Sequence, residues 1–527
     1  MSLGMYAQIN GHLVTGYGAE DNKAKDHVFS ASNAHYLVGN FKGEFILGFN
    51  YVNNSRTSAF LIREDASGNC PWLKTCSASG YLSLNAVAVQ ANYLVIAGSF
   101  SDSLFIGNDT LKASGVKNAF IALYDTLGNY IKSYAPEAYS SDINDIEFLP
   151  NGQLLITGLY FNHLVLGVNT YASPLGSSMF LLHFDVNNWV PNWSQVSTGS
   201  ATYGQSLSYA SVGCIYVCGS YGPQTQFSGL IMPPVSGDHN LFVAKYLENG
   251  PLVWVQSVSS STQVHGLAIR ADAEGSVYFS GEYEMDATFP NQQTLSNLGL
   301  MDAFIAKMDS SGQVQWIKRV ASDLMDKGVS IEMDALGHPI FLVNGGNLQL
   351  DGVTHTSNGF QEPFVVKLDR LNGGEIWHHR LTALTNSGIV LSTSMAMKDR
   401  KICIAGSNRT GILFQGDTID SPNLDDVFWY TFTDTSSFSQ TAGLEEITLE
   451  QEMLIYPNPF SSSFCIQTKQ PFSDISVYDL NGKLLYSTRN LNTSFFQLND
   501  IHILPGTYLV QVNYVEHKTE FKTLIKR

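Results

Sequence analysis

Seven polar residues recur at a near-constant spacing: Asp26, Asn85, Asn144, Gln205, His265, Lys327 and Thr393. Each enters the first strand of a repeated segment. A circular array of those segments would gather all seven around one mouth of a central channel. The set is chemically diverse, as a ligand-reading surface would be, whereas a structural ring should repeat one residue type. The opposing reading is that a wet channel mouth tolerates any polar residue. His265 and Lys327, adjacent in repeat order, would meet an anionic or hydroxyl-rich group. Asp142, Asp145 and Glu147 in SDINDIEF form the densest acidic patch of the repeats. Paired carboxylates can serve a glycosidase. Strand alternation puts Asp145 and Glu147 on one face and leaves Asp142 unplaced, and a solvated edge is the simpler expectation.

No other reactive constellation is present. The chain has no HExxH, no P-loop, no GxSxG and no EF-hand loop. No catalytic residue, metal site or cofactor is therefore assigned. The segment DSSGQVQW is similar to the Asp-box of sialidase propellers, but its Gly and Trp each come one residue too late. Asp125, Asp309 and Asp369 are expected to form hairpin turns by accepting hydrogen bonds from their own backbone.

The elements that position these residues are short strands. From His265 to Ser322 four runs alternate apolar and polar residues (GLAIRA, SVYFSGEY, DAFIAKM and QVQWIKRV), the period of half-buried strands. A four-stranded meander cannot bury both faces alone, and its neighbours are copies of itself. The Phe of the third strand recurs at Phe60, Phe120, Phe180, Phe242, Phe304, Phe364 and Phe428, in steps of 60 to 64 residues. A Gly ends each second strand (Gly39, Gly98, Gly158, Gly219, Gly281, Gly345 and Gly406). An aromatic opens each fourth strand except the last: Trp72, Tyr130, Trp193, Trp254, Trp316 and Trp377. The seventh repeat lacks a fourth strand, and the chain begins with an orphan one near Gly11 to Val14. The expectation is an all-β, seven-bladed β-propeller over residues 5–434, closed by its own N-terminal strand.

Composition fits this class. The chain has 527 residues, 44% hydrophobic and 14% charged, with a net charge of −17. That charge argues against nucleic acid or an anionic membrane surface as main partner, and no apolar run is long enough to span a bilayer. The six cysteines suit no common zinc site. Cys214 and Cys218 would stand about 13 Å apart along one strand, too far to bridge, so all six are expected to be unpaired. The opening MSLGMYAQ has neither the basic start nor the apolar core of a signal peptide; either a leader has been removed or the gene start is incomplete.

The D-x-x-G turn, the YxxG second strand and the D/N-A-F third strand together resemble the SBBP repeats of bacterial secreted β-propellers, over roughly residues 5–435. That resemblance implies a fold and no shared catalytic residues. Residues 435–453 are polar and Ser/Glu-rich and read as a linker. From Leu454 a second β domain of short antiparallel strands begins, expected to be a small immunoglobulin-like sandwich over 454–527. Its motifs are Tyr456-Pro457-Asn458-Pro459, the turn from Asp479 through Asn481, Gly482 and Lys483, the segment Pro505-Gly506-Thr507-Tyr508, and the basic pair Lys526-Arg527. This tail resembles the type A C-terminal sorting domain of type IX secretion cargo. The resemblance implies Sec export, passage across the outer membrane through the type IX machinery, and display on the cell surface or release.

Two functions follow as expectations. The first is a secreted or surface propeller that binds a glycan or protein ligand through its mouth and long loops. The second is a secreted polysaccharide-active hydrolase using the same mouth. A purely structural surface-layer role is a third.

Overall fold

The computed structural model describes residues 12–16, 22–47, 50–414, 417–419, 425–434, 436, 453–456, 464–479, 483–489, 491–498, 503, 506–514 and 519–526. Every regular element among them is a strand, and no helix is long and apolar enough to cross a membrane. The chain divides into two compact units, Met1–Ser436 and Ser437–Arg527.

In the first unit each repeat builds an antiparallel ladder of four strands. The seven recurring phenylalanines stand in the third strands and are at most 2% exposed. Burying such a ring contributes about 1.5–3 kcal/mol, so the sequence period is the period of the core. The first strands are Lys23–Phe29, Leu82–Gln90, Ala138–Phe148, Tyr203–Ala210, Gln263–Ala271, Lys327–Met333 and Val390–Lys398. They neighbour one another in chain order, and the seventh neighbours the first.

Each first strand carries a bulge at the same place in its pairing with the second strand. The bulged residues are Lys25, Asn85, Asn144, Gln205, Leu267, Val329 and Thr393. An extra residue bends the strand and leaves one side chain out of register. The recurring glycine makes room for this bend. A Cβ at Gly39, Gly98, Gly158, Gly219, Gly281 or Gly406 would sit 1.9 to 2.2 Å from the carbonyl oxygen two residues before the bulge. Only glycine permits that approach. In the sixth repeat Gly345 is not at this place, contrary to the sequence alignment. Val343 pairs with Phe364 there, and Gly345 pairs with Glu362.

The seventh ladder is completed by His12–Gly16, which runs antiparallel to Asp426–Thr433 with Thr15 opposite Phe428. The fourth strand of the last repeat thus comes from the start of the chain, as its sequence implies. Residues 5–11, expected in the same strand, lie outside the described residues.

The second unit is organised on one long strand, Phe464–Asp479. Its first half pairs with Met453–Tyr456 and Thr493–Leu498, and its second half with Leu484–Thr488 and Gly506–Tyr514. Thr519–Lys526 extends the sheet beside Gly506–Tyr514. Phe464, Ile466, Phe472, Val477, Val510 and Leu524 form its fully buried core.

All six cysteines are free. The turn aspartates act as their spacing implies. Asp125 Oδ1 accepts the backbone N–H of Leu127 at 3.0 Å and of Asn129 at 2.8 Å, and Asp309 and Asp369 do the same in their own turns.

Candidate functional site

The first strands enclose a cavity of about 460 Å³, to which every repeat lends residues at and after its bulge. Asp26, Asn85, Asn144, Gln205 and Thr393 line it, while His265 and Lys327 do not. The bulge register explains the difference. In the fifth and sixth repeats Leu267 and Val329 occupy the bulge, and His265 and Lys327 fall two residues earlier; in the first repeat Lys25 takes the bulge and Asp26 follows it. His265 Nδ1 meets Tyr203 Oη at 3.2 Å and Ser220 Oγ at 3.0 Å. Lys327 Nζ stands 3.7 Å from Glu282. Burial, with His239 and Lys327 nearby, pushes the His265 pKa down to about 4, so its ring is neutral at pH 7.

Polar side chains of the first strands tie each repeat to the next. Asp26 accepts the N–H of Val87 at 2.9 Å. Asn85 donates to the carbonyl of Ile143 and Asn144 to that of Gly204, each at 2.8 Å. Ser208 accepts the N–H of Ala271 at 3.1 Å, and Arg270 reaches Glu332 at 2.9 Å. Ser330 accepts the N–H of Met395 at 3.3 Å. Thr393 closes the circuit by donating to the carbonyl of Ala24 at 3.1 Å. Each bond of this kind contributes about 0.5–1.5 kcal/mol, and the circuit fixes which repeat faces which.

The cavity also holds a charge cluster. Asp145 accepts the N–H of Leu207 at 2.8 Å and the Ser206 hydroxyl at 2.9 Å, and Glu147 accepts the N–H of Tyr209 at 3.0 Å. The solvated-edge expectation therefore fails for this pair: the bulge turns both into the cavity. Asp142 alone points elsewhere, onto Lys117. Burial pushes the Asp26 and Glu147 carboxyls up to about 7 each and raises Asp145 as well. Their solvent exposure is intermediate rather than nil, because the cavity leaves one side open while protein crowds the remaining sides. Arg270 opposes the rise in Glu147 and Asp145 and is itself held charged, first by Glu332. Arg270 and Glu332 were not singled out from the sequence. Their signal was positional: both stand three residues after the bulge, as Glu147 does.

In the second unit Asp479, Lys483, Gly506, Tyr508 and Lys526 lie near the end of the long strand, and Tyr456 lies at its start. Asp479 pairs with Tyr508, and its Oδ1 accepts the N–H of Lys483 at 2.9 Å across the turn. Gly506 stands opposite Lys526. Tyr508 is buried at 8% exposure. Tyr456 pairs with Cys465. Pro457, Asn458, Pro459, Asn481, Gly482, Pro505 and Arg527 lie outside the described residues.

Residues 454–527 match the secretion system C-terminal sorting domain. The tail expected from its motifs is thus this sorting domain, and it is the segment recognised by type IX secretion machinery. The other likenesses are distant. An uncharacterized WD repeat-containing protein of Acanthamoeba polyphaga mimivirus is 21% identical over 356 residues, 53% of this chain and 25% of that protein. This chain therefore spans about a quarter of the length of that curated relative. Among solved structures, PorZ of Porphyromonas gingivalis, a surface component of the type IX secretion system, aligns over 96% of this chain and 81% of its own, at 12% identity and a TM-score of 0.30. BamB of Moraxella catarrhalis aligns over 79% of this chain and 99% of its own, at 10% identity and a TM-score of 0.35.

Proposed function

We propose that this chain is a secreted or surface-displayed binding protein: a seven-bladed, SBBP-type β-propeller, closed by its N-terminal strand and exported through an immunoglobulin-like sorting domain. The observation that carries the reading is the match of residues 454–527 to the sorting domain. An address for export places the work of the first unit outside the cell, where a glycan or protein is the ligand. The cavity supports binding by its mixture of donors and acceptors. Gln205 and Ser394 are among its polar lining residues.

One observation favours the hydrolase reading. Asp26 and Glu147, pushed up to about 7, are partly protonated at neutral pH, as a general acid needs. Both also accept backbone N–H bonds from the neighbouring repeat, which is work enough to account for them. Binding is the better supported function.

The test is a glycan-array and polysaccharide-depolymerisation screen of the purified protein, repeated with Gln205→Ala/Ser394→Val. Binding by the parent, lost in the variant with an unchanged melting curve, supports the channel. A ligand retained by that variant but lost in His265→Ala/Lys327→Ala moves the site to the Tyr203–His265–Glu282 patch. Release of reducing ends that disappears in Glu147→Gln replaces binding with hydrolysis.

A further inference from the structure

Outside the cavity, the sixth repeat assembles a group with the composition of a metal centre. The short strand Val353–His355 brings His355 against Glu375–Arg380, the outermost strand of that repeat. One donor atom each from His355, Glu375 and His378 lies within 4.8 Å of the other two. His355 Nε2 is 3.1 Å from Glu375 Oε2, and His378 Nδ1 is 2.6 Å from Oε1 of the same carboxylate. The two imidazoles stand 4.3 Å apart, centroid to centroid.

His355 is only 8% exposed, and its Nε2 makes no hydrogen bond although the carboxylate is close. The contact is within ion-pair distance of Glu375 Oε2. A buried ring nitrogen aimed into a cluster and left unsatisfied is uncommon, since such groups nearly always find a partner. A cation placed between the three donors would satisfy it.

We propose that His355, Glu375 and His378 form a binding site for a divalent transition-metal ion of the zinc class. Two imidazoles and one carboxylate are a ligand set that suits zinc and its neighbours. Calcium and magnesium demand more oxygens, and copper(I) prefers sulfur. Metal–ligand bonds of about 2.0–2.1 Å in a tetrahedral arrangement place the donors about 3.3 Å apart. The 3.1 and 2.6 Å contacts, one to each carboxylate oxygen, reach that spacing by shifts of less than about 1 Å, within side-chain rotation. Three protein ligands leave a fourth position, and the 38% exposure of the His378 side chain turns that position to solvent. It would hold water or a donor group from a bound molecule.

The surroundings hold the donors in place. The Phe364 ring packs against both imidazoles, 4.9 Å from His355 and 5.4 Å from His378. Arg380 donates to the His355 carbonyl at 3.1 Å, which fixes the short strand, and its own charge is balanced by Glu362 at 3.3 Å. Such outer partners orient ligands before the metal arrives. A second cluster, His27, His35 and Cys403, is fully buried, and both ring nitrogens of His35 are already engaged, by His27 at 2.8 Å and Glu64 at 3.0 Å. His27 Nε2 there is also without a partner, but His35 can give a nitrogen only by breaking one of these bonds, so the three do not make a free donor set.

The site does not depend on the channel's ligand. Its test uses the full chain without an affinity tag, stripped of metal and titrated with zinc chloride by calorimetry. Cobalt(II) chloride and visible absorption give a second reading. The parent should take up one equivalent of zinc, and bound cobalt should show ligand-field bands. His355→Ala and Glu375→Gln should each weaken binding at least tenfold and remove those bands, while His338→Ala leaves both unchanged. If His355→Ala melts early, His378→Gln, on the exposed side, carries the comparison. No saturable binding by the parent, or equal affinity in parent and cluster variants, overturns the proposal.

Discussion

Trp429 donates its indole N–H to Glu64 at 3.0 Å, a bond between the third strands of the seventh and first repeats across 365 residues of sequence. The same carboxylate accepts His35 Nδ1 at 3.0 Å and stands 3.7 Å from His12 Nε2. His12 belongs to the strand that completes the seventh ladder. One buried acid thus gathers both sides of the seam, where a linear array of repeats is joined end to end.

The Glu64 carboxyl answers this environment. Burial alone would raise its pKa, but the His35 bond, His12 and Trp429 together hold it below the usual value of 4.5. A folded value below the unfolded one means the contribution is complete above about pH 4.5 and is lost as pH falls through the folded value. Glu64→Gln should cost about 1–3 kcal/mol at pH 7, the range for a buried polar group losing its partners. Chemical denaturation at pH 7 and pH 3.5 should show the gap between parent and variant narrowing in acid. Removal of residues 1–16, which opens the same seam, should lower the melting temperature.

Two histidines predict sensitivity to milder acid. Burial, and then His35, holds His27 well below 6.5, and His265 is held at about 4. In the unfolded chain both take up protons near pH 6.5, so the unfolded state binds more protons and stability falls as pH drops from about 6.5 toward 4. Asp26 and Glu147, raised to about 7, act in the opposite sense, so the histidine contribution is read as a difference: from pH 7.5 to 5 the melting temperature of the parent should fall relative to that of His265→Asn. A parental slope in that variant would show that His265 is not the neutral ring described.

Arg270 is the counter-charge of the cavity. Its removal leaves Glu332, Glu147 and Asp145 crowded without a cation, and losing a charged hydrogen bond in a half-buried pair costs about 1–3 kcal/mol. Arg270→Met should lose stability in that range by urea denaturation, and adding Glu332→Leu should restore part of it. Additive losses would mean the two residues do not act as a pair.

Cys76, Cys214, Cys218 and Cys403 are buried and should behave as small hydrophobes, while Cys70 and Cys465 are partly exposed. Burial pushes Cys70 up to about 11 and Cys76 to about 12, so neither offers a thiolate at neutral pH. Alkylation without reductant should be slow on the native protein and should add six groups once it is unfolded. A mass showing a disulfide contradicts this.

The repeat was legible because it rests on burial. Phe60 and its six equivalents repeat where a core must repeat, and the orphan strand at His12 has a vacancy to fill beside Phe428. The candidate site was legible only in part. Alternation of polar and apolar residues marks a strand, but a bulge leaves no residue signature of its own, so His265 and Lys327 were placed where Leu267 and Val329 stand. The glycine that faces the bulge was the available clue, and it fails in the sixth repeat, where Val343 takes its place. Asp145 and Glu147 looked like a surface edge because alternation cannot say which face a bulged strand turns inward. His355, Glu375 and His378 went unseen for another reason: a 20-residue separation across two hairpins matches no ligand spacing, and only the pairing of strands brings them together.

The central claim is that residues 454–527 address an independently folded first unit to the outside of the cell. The measurement is the distribution of the protein between periplasm, cell surface and medium in a type IX-competent host, with and without residues 437–527. The account predicts that the shortened chain keeps the melting transition of the first unit yet stays in the periplasm, while the full chain reaches the surface or medium. A shortened chain that reaches the surface or medium at the level of the full protein would contradict it.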